Sequence, residues 1–186
     1  MLHIDGDKDY LDTCLKQYEK YGINAAGVYI KEKNQSAKVY NLLSEYRPDI
    51  LVLTGHDGVI KNEKGYLDAE NYRNSKYFVE SVKEARRYNN DRDALVIFAG
   101  ACQSLYKEII EAGANFASSP YRVLIHALDP VMVCEKIAFT SVSQVLKPRE
   151  VVENTITGLR GIGGIETRGK YRVGFPRQPI ESEFGQ

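Results

Sequence analysis

The fold is decided by the apolar run Ile50-Leu51-Val52-Leu53 and by the residues after it, Thr54-Gly55-His56-Asp57-Gly58. Four consecutive apolar residues that end in a turn are typical of a central parallel strand, which is covered on both faces. A second run of this kind, Ala94-Leu95-Val96-Ile97-Phe98-Ala99, is followed by Gly100-Ala101-Cys102. The sequence therefore predicts two buried strands, each followed by a residue that can do chemistry.

Strands and helices alternate along the rest of the chain. Further strands are expected at 2–4, 25–30, about 115–118 and 123–127, and helices at 9–21, 34–47, about 77–85, 103–112, 130–139 and 148–159. This alternation predicts an α/β fold, a three-layer α/β/α sandwich with a mostly parallel central sheet. We expect one domain over residues 1–186, with a flap at 59–72 and a Gly/Arg-rich segment, 158–186, that borders the active site as a loop or hairpin.

Composition argues against several classes of partner. Lysine plus arginine and aspartate plus glutamate each number 25, so the formal net charge is zero and gives no reason to expect nucleic acid or an anionic membrane as partner. No run approaches the ~20 apolar residues of a membrane helix, and the N-terminus lacks the features of a signal peptide. The three cysteines lack metal-type spacing, so we expect neither a zinc site nor a disulfide framework. This use of cysteine favours a reducing compartment.

His56 and Cys102 each follow a predicted buried strand. In an open parallel sheet, chemistry gathers at the carboxyl ends of the strands, so we expect both side chains on one rim. The histidine precedes the cysteine by a separation close to the ~50 residues of caspases, and Ala101-Cys102-Gln103 agrees with the caspase signature Gln-Ala-Cys-[Arg/Gln/Gly]-Gly, although the flanking residues differ. The pattern is that of caspase-like peptidases.

These two residue types suit nucleophilic catalysis on a carbonyl group. A cysteine attacks as its thiolate, and an imidazole can take the thiol proton and later protonate the leaving amine. Cys102 is therefore the candidate nucleophile and His56 the candidate acid–base. The backbone N–H groups of Asp57 and Cys102 are candidates for the oxyanion hole, and a helix predicted from about Gln103 would place its positive end near the thiolate.

Other interpretations stay open at this point. His56 alone could be a loop histidine without a task, and Cys102 a small buried apolar residue, as Cys14 and Cys134 are expected to be on their helices. A thiol hydrolase of a small amide or ester is a second enzyme hypothesis, which would call for a closed pocket. A flavodoxin-like binding module without catalysis is the hypothesis from another class.

Longer motifs resemble the YabG sporulation-protease family and cover nearly the whole chain. They are Leu-His-Ile-Asp-Gly-Asp (2–7), Tyr-Arg-Pro-Asp-Ile-Leu-Val (46–52), Thr-Gly-His-Asp (54–57), Asn-Tyr-Arg-Asn-Ser-Lys-Tyr-Phe-Val (71–79), Val-Ile-Phe-Ala-Gly-Ala-Cys-Gln-Ser (96–104), Gly-Ala-Asn-Phe-Ala-Ser-Ser-Pro (113–120), Val-Leu-Ile-His-Ala-Leu-Asp-Pro (123–130) and Gly-Ile-Gly-Gly-Ile-Glu-Thr-Arg-Gly-Lys-Tyr-Arg (161–172). The family's histidine and cysteine fall on His56 and Cys102. Caspase-like enzymes usually have glycine directly after the histidine, whereas this chain has Asp57.

The resemblance implies a cysteine peptidase of spore-forming bacteria that needs no metal or organic cofactor. Its implied substrates are precursors of spore-coat and germination proteins, cut next to arginine, and the implied place of action is the cytoplasm of the sporulating cell and the spore coat. Arginines in the 158–186 segment are candidate sites of self-processing. Family members normally carry a further N-terminal region, which this chain is expected to lack.

An arginine pocket needs a desolvated carboxylate. In caspase-like folds, the end of the first strand and the strand after the cysteine help to build that pocket. The candidates here are Asp5, Asp7, Ser118, Ser119 and Asp129. The plain alternative for Asp5-Gly6-Asp7 is a turn that leads into a helix cap.

Overall fold

The computed structural model of the chain describes residues 1–60 and 71–174. Over these ranges, strands and helices alternate in the order β1 (Leu2–Asp5), α1 (Lys8–Lys20), β2 (Ala26–Tyr29), α2 (Glu32–Tyr46), β3 (Ile50–Thr54), α3 (Ser75–Tyr88), β4 (Val96–Ala99), α4 (Tyr106–Ala112), β5 (Phe116–Ser118), α5 (Asp129–Phe139), β6 (Val145–Leu146), α6 (Pro148–Val152), β7 (Ile162–Gly164) and β8 (Thr167–Arg168). A 3₁₀ turn, Gly158–Arg160, precedes β7.

The described strands form a six-stranded sheet in the order β2-β1-β3-β4-β5-β7. Strands β1 to β5 are parallel, and β7 pairs antiparallel with β5 at the edge. Strands β6 and β8 form a separate antiparallel pair. The predicted mostly parallel sheet is confirmed. Its strand order reverses between β1 and β3, which is where open α/β sheets place their ligands.

Helices cover both faces of this sheet, so the predicted three-layer sandwich is confirmed as well. Alternate residues of the strands, such as Leu51 and Leu53, pack under α2, α3 and α4. The residues between them, such as Val52 and Phe98, pack under α1, α5 and α6. Each apolar side chain of this size contributes about 1.5–3 kcal/mol when it is fully buried. Apolar cores on both faces of the sheet therefore hold the central strands in place, and with them the residues at the ends of these strands.

Three local predictions are wrong, each for a physical reason. The segment 123–127 is a loop, because the N–H groups of Ile125 and His126 donate to side chains and the place beside β5 is taken by β7. The helix predicted at 148–159 ends at Val152, and turns follow it. The helix predicted from Gln103 begins at Tyr106, since Gln103 has a left-handed backbone with φ of 59°.

Parts of two predicted segments lie outside the described residues. Of the predicted flap, 61–70 is outside, and its described ends pair through a bridge between Val59 and Tyr72. Of the Gly/Arg-rich segment, 175–186 is outside, while its described part supplies β7 and β8. Within the described ranges, no helix combines the length and apolar character needed to cross a membrane.

Candidate active site

The carboxyl ends of β1, β3 and β4 meet at one edge of the sheet, because the three strands are parallel neighbours. A cleft of about 310 Å³ opens there, within the range of small-molecule and peptide side-chain sites. The strand ends contribute Asp5, Thr54 to His56 and Gly100 to Cys102 to its walls, and the remainder comes from Tyr10, 125–127 and Pro130. His56 and Cys102 thus line the same cleft from adjacent strands.

His56 is held through its backbone and its ring. Its N–H donates to Glu32 Oε1 at 2.7 Å, and its carbonyl oxygen accepts from Asn74 Nδ2 at 2.7 Å. The ring Nε2 lies 2.8 Å from Asp7 Oδ2, and the ring centroid lies 5.6 Å from that of Tyr10. Within residues 1–60 and 71–174, Nδ1 has no hydrogen-bond partner. Because the side chain is 48% exposed, the imidazole is accessible to a substrate.

Glu32 places a buried carboxylate directly behind His56. It begins α2 and is 6% exposed. A Cβ added at Gly6 would lie 2.2 Å from Glu32 Oε1, and one added at Gly55 would lie 2.3 Å from the same atom. Both positions need glycine because the carboxylate that receives the N–H of His56 fills the space beside them.

Cys102 lies on a short loop between β4 and α4 and is half-buried. The N–H of Ile125 donates to its Sγ at 3.4 Å, and the Ile125 carbonyl oxygen lies 3.8 Å from the same sulfur. The sulfur of Cys102 is thus in contact with both backbone groups of Ile125. Cys102 lies about one turn before Tyr106, the first residue of α4. The positive end of the helix dipole therefore has a weaker effect at Cys102 than it would have on a residue at the helix N-terminus.

The side chain of Asp57 joins the loop after β3 to the loop after β4. Its Oδ2 accepts a hydrogen bond of 2.8 Å from the hydroxyl of Ser104 and another from the hydroxyl of Ser75, the first residue of α3. The Ser104 hydroxyl oxygen in turn accepts from the N–H of Ala101 at 2.9 Å. One carboxylate therefore connects the histidine loop, the start of α3 and the residue before Cys102.

Asp57 also carries one of the two N–H groups predicted for the oxyanion hole. Its Oδ1 accepts from the N–H groups of Gly58 and Asn74, which bends the loop around the carboxylate. In the part of the chain that the structure describes, neither the N–H of Asp57 nor that of Cys102 donates a hydrogen bond. Within these residues both donors can therefore serve an oxyanion, and the assignment of the hole to them stays a prediction.

Of the candidates for an arginine pocket, Asp5 lines the cleft. It is 4% exposed, and its oxygens accept from the N–H of Asp7 at 2.7 Å and the hydroxyl of Thr54 at 2.6 Å. The Thr54 hydroxyl lies 2.6 Å from His3 Nε2, and His3 Nδ1 lies 3.2 Å from the Tyr18 hydroxyl. A buried polar chain thus runs from the core to the cleft and ends at this carboxylate.

The other four candidates are engaged elsewhere. Asp7 caps α1 and contacts His56. Ser118 donates to the carbonyl oxygen of Ala101 at 2.8 Å, and Ser119 donates to that of Val123 at 2.7 Å. Asp129 is fully buried and accepts hydrogen bonds from the backbone of 126 and 156–157 and from the hydroxyl of Thr157. Ser118, Ser119 and Asp129 thus shape the loops around Cys102, and direct contact of any of the four candidates with substrate stays a prediction.

The two remaining cysteines differ from Cys102 in burial. Cys14 is 1% exposed and Cys134 is fully buried. Burial raises the pKa of each of these thiols to about 12. Neither is a nucleophile at neutral pH, because only a thiolate reacts. The prediction that both are core residues is confirmed.

Several residues of the site escaped the sequence analysis. Glu32, Ser75, Ser104 and Tyr10 reach it through contacts between segments far apart in the chain. Ser104 offered the one local signal, a small polar residue two positions after the candidate nucleophile. No group of three or more metal-ligating side chains occurs within the described ranges.

Comparison with known proteins identifies the family of the chain. The model of the YabG peptidase U57 family matches residues 1–176. The chain belongs to the YabG peptidase U57 family. The sporulation-specific protease YabG of Bacillus subtilis (strain 168) is 53% identical to it over 176 residues, which is 95% of this chain and 61% of the relative. The chain thus spans less than two thirds of that YabG protein. No solved structure matches the chain.

Proposed function

We propose that the chain is a cysteine endopeptidase in which Cys102 is the nucleophile and His56 the general acid–base. The observation that carries this proposal is the position of both side chains on one cleft, at the ends of adjacent strands. The family and its relative, named as a peptidase and a protease, support a hydrolytic activity on proteins. The N–H groups of Asp57 and Cys102, which donate no hydrogen bond within the described residues, are the proposed donors to the oxyanion of this reaction.

The proposed reaction proceeds through a thioester. Nδ1 of His56, which has no hydrogen-bond partner among the described residues, takes the thiol proton, and the sulfur attacks the carbonyl carbon of the scissile peptide bond. The resulting oxyanion is stabilised by the two N–H groups, and the C–N bond breaks as His56 protonates the leaving amine. Water, deprotonated by His56, then attacks the thioester, which releases the new carboxyl terminus and restores the thiol.

Asp5 is the proposed partner of a substrate arginine. Its buried carboxylate lines the cleft, and the described residues place His3 Nε2 at 3.5 Å from its Oδ2 but no lysine or arginine against it. Each of its oxygens accepts one hydrogen bond from the protein, which leaves lone pairs for a guanidinium. Ala101, Ala127 and Pro130 also line the cleft and suit the methylene groups of an arginine side chain.

The natural substrates in this proposal are precursors of spore-coat and germination proteins, and the chain itself where processing occurs. The name of the Bacillus subtilis relative connects the family with sporulation, and that connection supports the choice of substrates. The proposed place of action is accordingly the cytoplasm of the sporulating cell and the spore coat.

A panel of fluorogenic peptides tests the proposal. The peptides differ only in the residue before the scissile bond, which is arginine, lysine, aspartate or leucine. We expect selective cleavage after arginine and loss of turnover in both Cys102→Ala and His56→Ala. Unchanged turnover in either variant would overturn the assignment of that residue. Cleavage of small esters without cleavage of peptides would favour a thiol hydrolase.

A further inference from the structure

The first turn of α1 forms one wall of the cleft beside His56. Asp7 is the N-cap residue of this helix, and its Oδ1 accepts hydrogen bonds from the N–H groups of Asp9 and Tyr10, at 2.9 and 3.0 Å. The cap fixes the carboxylate and leaves the second oxygen, Oδ2, 2.8 Å from His56 Nε2. Tyr10, in the same helical turn, places its ring 5.6 Å from the imidazole.

We propose that Asp7 is a positioning residue for catalysis, which holds the His56 imidazole in the tautomer with its proton on Nε2 and so leaves Nδ1 as the base. This inference rests on the proposed role of His56. A carboxylate has only acceptor oxygens, so the contact of 2.8 Å requires a proton on Nε2. The nitrogen that remains, Nδ1, has no partner within the described residues.

The arrangement differs from an ordinary exposed ion pair. Such pairs contribute little because both side chains must be ordered to form them. Here the carboxylate is ordered by the helix cap, and the backbone of His56 is anchored on both sides by Glu32 and Asn74. The hydrogen bond from His56, together with that from the N–H of Tyr10, lowers the pKa of Asp7, so the carboxylate is ionised throughout the neutral range. An ionised partner also stabilises the imidazolium that forms when His56 takes a proton.

Two substitutions separate this role from helix capping. Aspartate, asparagine and serine are all good N-cap residues, so Asp7→Asn and Asp7→Ser keep the cap. Asparagine can turn its amide N–H groups toward His56 and favour the opposite tautomer, whereas serine leaves the imidazole without this partner. Asp12→Asn is the matched control, because Asp12 is exposed on the same helix and the substitution removes the same charge.

The experiment combines kinetics with the ¹⁵N NMR spectrum of histidine-labelled protein at pH 8.5, about two pH units above the ordinary pKa of imidazole, near 6.5. His56 is assigned from the spectrum of His56→Ala. We expect the Nε2–H tautomer in the parent and in Asp12→Asn, and a shift toward Nδ1–H in Asp7→Asn. We also expect kcat to fall at least about tenfold in both Asp7 variants, while KM changes less than about twofold and the thermal midpoint stays within a few degrees.

The tautomer is measured without turnover, so the outcomes separate this inference from the proposed function. If Asp7→Asn matches Asp12→Asn in tautomer and in kcat, Asp7 is only a helix cap and the inference is overturned. If the parent carries its proton on Nδ1, the inference also fails. Turnover that persists in Cys102→Ala or His56→Ala would instead remove the proposed function, whatever the tautomer.

Discussion

The hydroxyl of Ser104 donates a hydrogen bond of 2.8 Å to the carboxylate of Asp57, and this bond ties the loop of His56 to the loop of Cys102. Both residues occupy positions next to the proposed dyad. The contact explains what an aspartate does at position 57. Its side chain holds the two loops together, and its N–H donates no hydrogen bond within the described residues.

Loss of this contact should therefore lower both stability and activity. A hydrogen bond to a charged group contributes about 1.5–3 kcal/mol, so we expect Ser104→Ala to reduce the free energy of unfolding by about that amount. The N–H of Ala101 loses its acceptor as well, and kcat should fall more than KM rises. Urea unfolding and peptide kinetics measure the two effects.

Ser44→Ala is the control for that experiment. Ser44 is exposed and donates to the carbonyl oxygen of Tyr40 within α2, so its loss should change stability by less than about 0.5 kcal/mol. Equal effects of the two substitutions would show that Ser104 has no special part in joining the loops.

Glu32 should support His56 as a hydrogen-bond acceptor and not through its charge. Glu32→Gln keeps an oxygen that can accept the N–H of His56, whereas Glu32→Ala leaves that group without its partner and opens a cavity beside Gly6 and Gly55. We expect Glu32→Ala to lose about 2–3 kcal/mol of stability and most activity, and Glu32→Gln to keep most of both. Thermal unfolding and kcat/KM provide the comparison, and an equal loss in both variants would show that the charge itself is required.

Alkylation should distinguish Cys102 from the other two cysteines. Burial raises the pKa of Cys14 and Cys134 to about 12 each, so at pH 8 only about one in ten thousand of either thiol is ionised. Iodoacetamide should therefore modify one cysteine per native chain, Cys102, and all three after unfolding in urea. Peptide mapping by mass spectrometry identifies the site. Rapid modification of Cys14 or Cys134 in the native protein would contradict this description of the core.

Asp5 should be responsible for the choice of arginine. Citrulline has nearly the shape of arginine without its charge, so a peptide pair that differs only in this residue isolates the contribution of the carboxylate. We expect Asp5→Asn to lower kcat/KM for the arginine peptide by about 10²-fold or more, and for the citrulline peptide by much less. Asp12→Asn serves again as the control for net charge. An equal loss of kcat/KM on both peptides would show that Asp5 stabilises β1 and Thr54 and does not bind the substrate arginine.

The sequence predicted the parts of the fold that depend on local patterns. The runs before Thr54 and Gly100 are continuously apolar, and they form the adjacent strands β3 and β4. The ends of parallel strands share an edge, so the meeting of His56 and Cys102 on one cleft followed from the same patterns.

Contacts between segments far apart in the chain could not be predicted from the sequence. The run Val123-Leu124-Ile125 has the composition of a strand, yet the N–H of Ile125 donates to Cys102 and the carbonyl oxygen of Val123 accepts from Gln103 and Ser119. Likewise, the bond between Ser104 and Asp57 joins residues 47 positions apart, and nothing in the local pattern of either predicts it. The side chains that hold His56 and Cys102 in place are brought together by tertiary packing. A single sequence does not reveal which side chains that packing brings into contact.

Covalent labelling with a peptidyl-arginine chloromethyl ketone tests whether Cys102 is the nucleophile of an arginine-specific site. The reagent occupies the substrate site and alkylates the nucleophile, and intact-protein and peptide mass spectrometry then locate the adduct. We predict one adduct per chain on Cys102, formed slowly in His56→Ala and not at all in Cys102→Ala. An adduct on Cys14 or Cys134, or a rate that is unchanged in His56→Ala, would contradict the account.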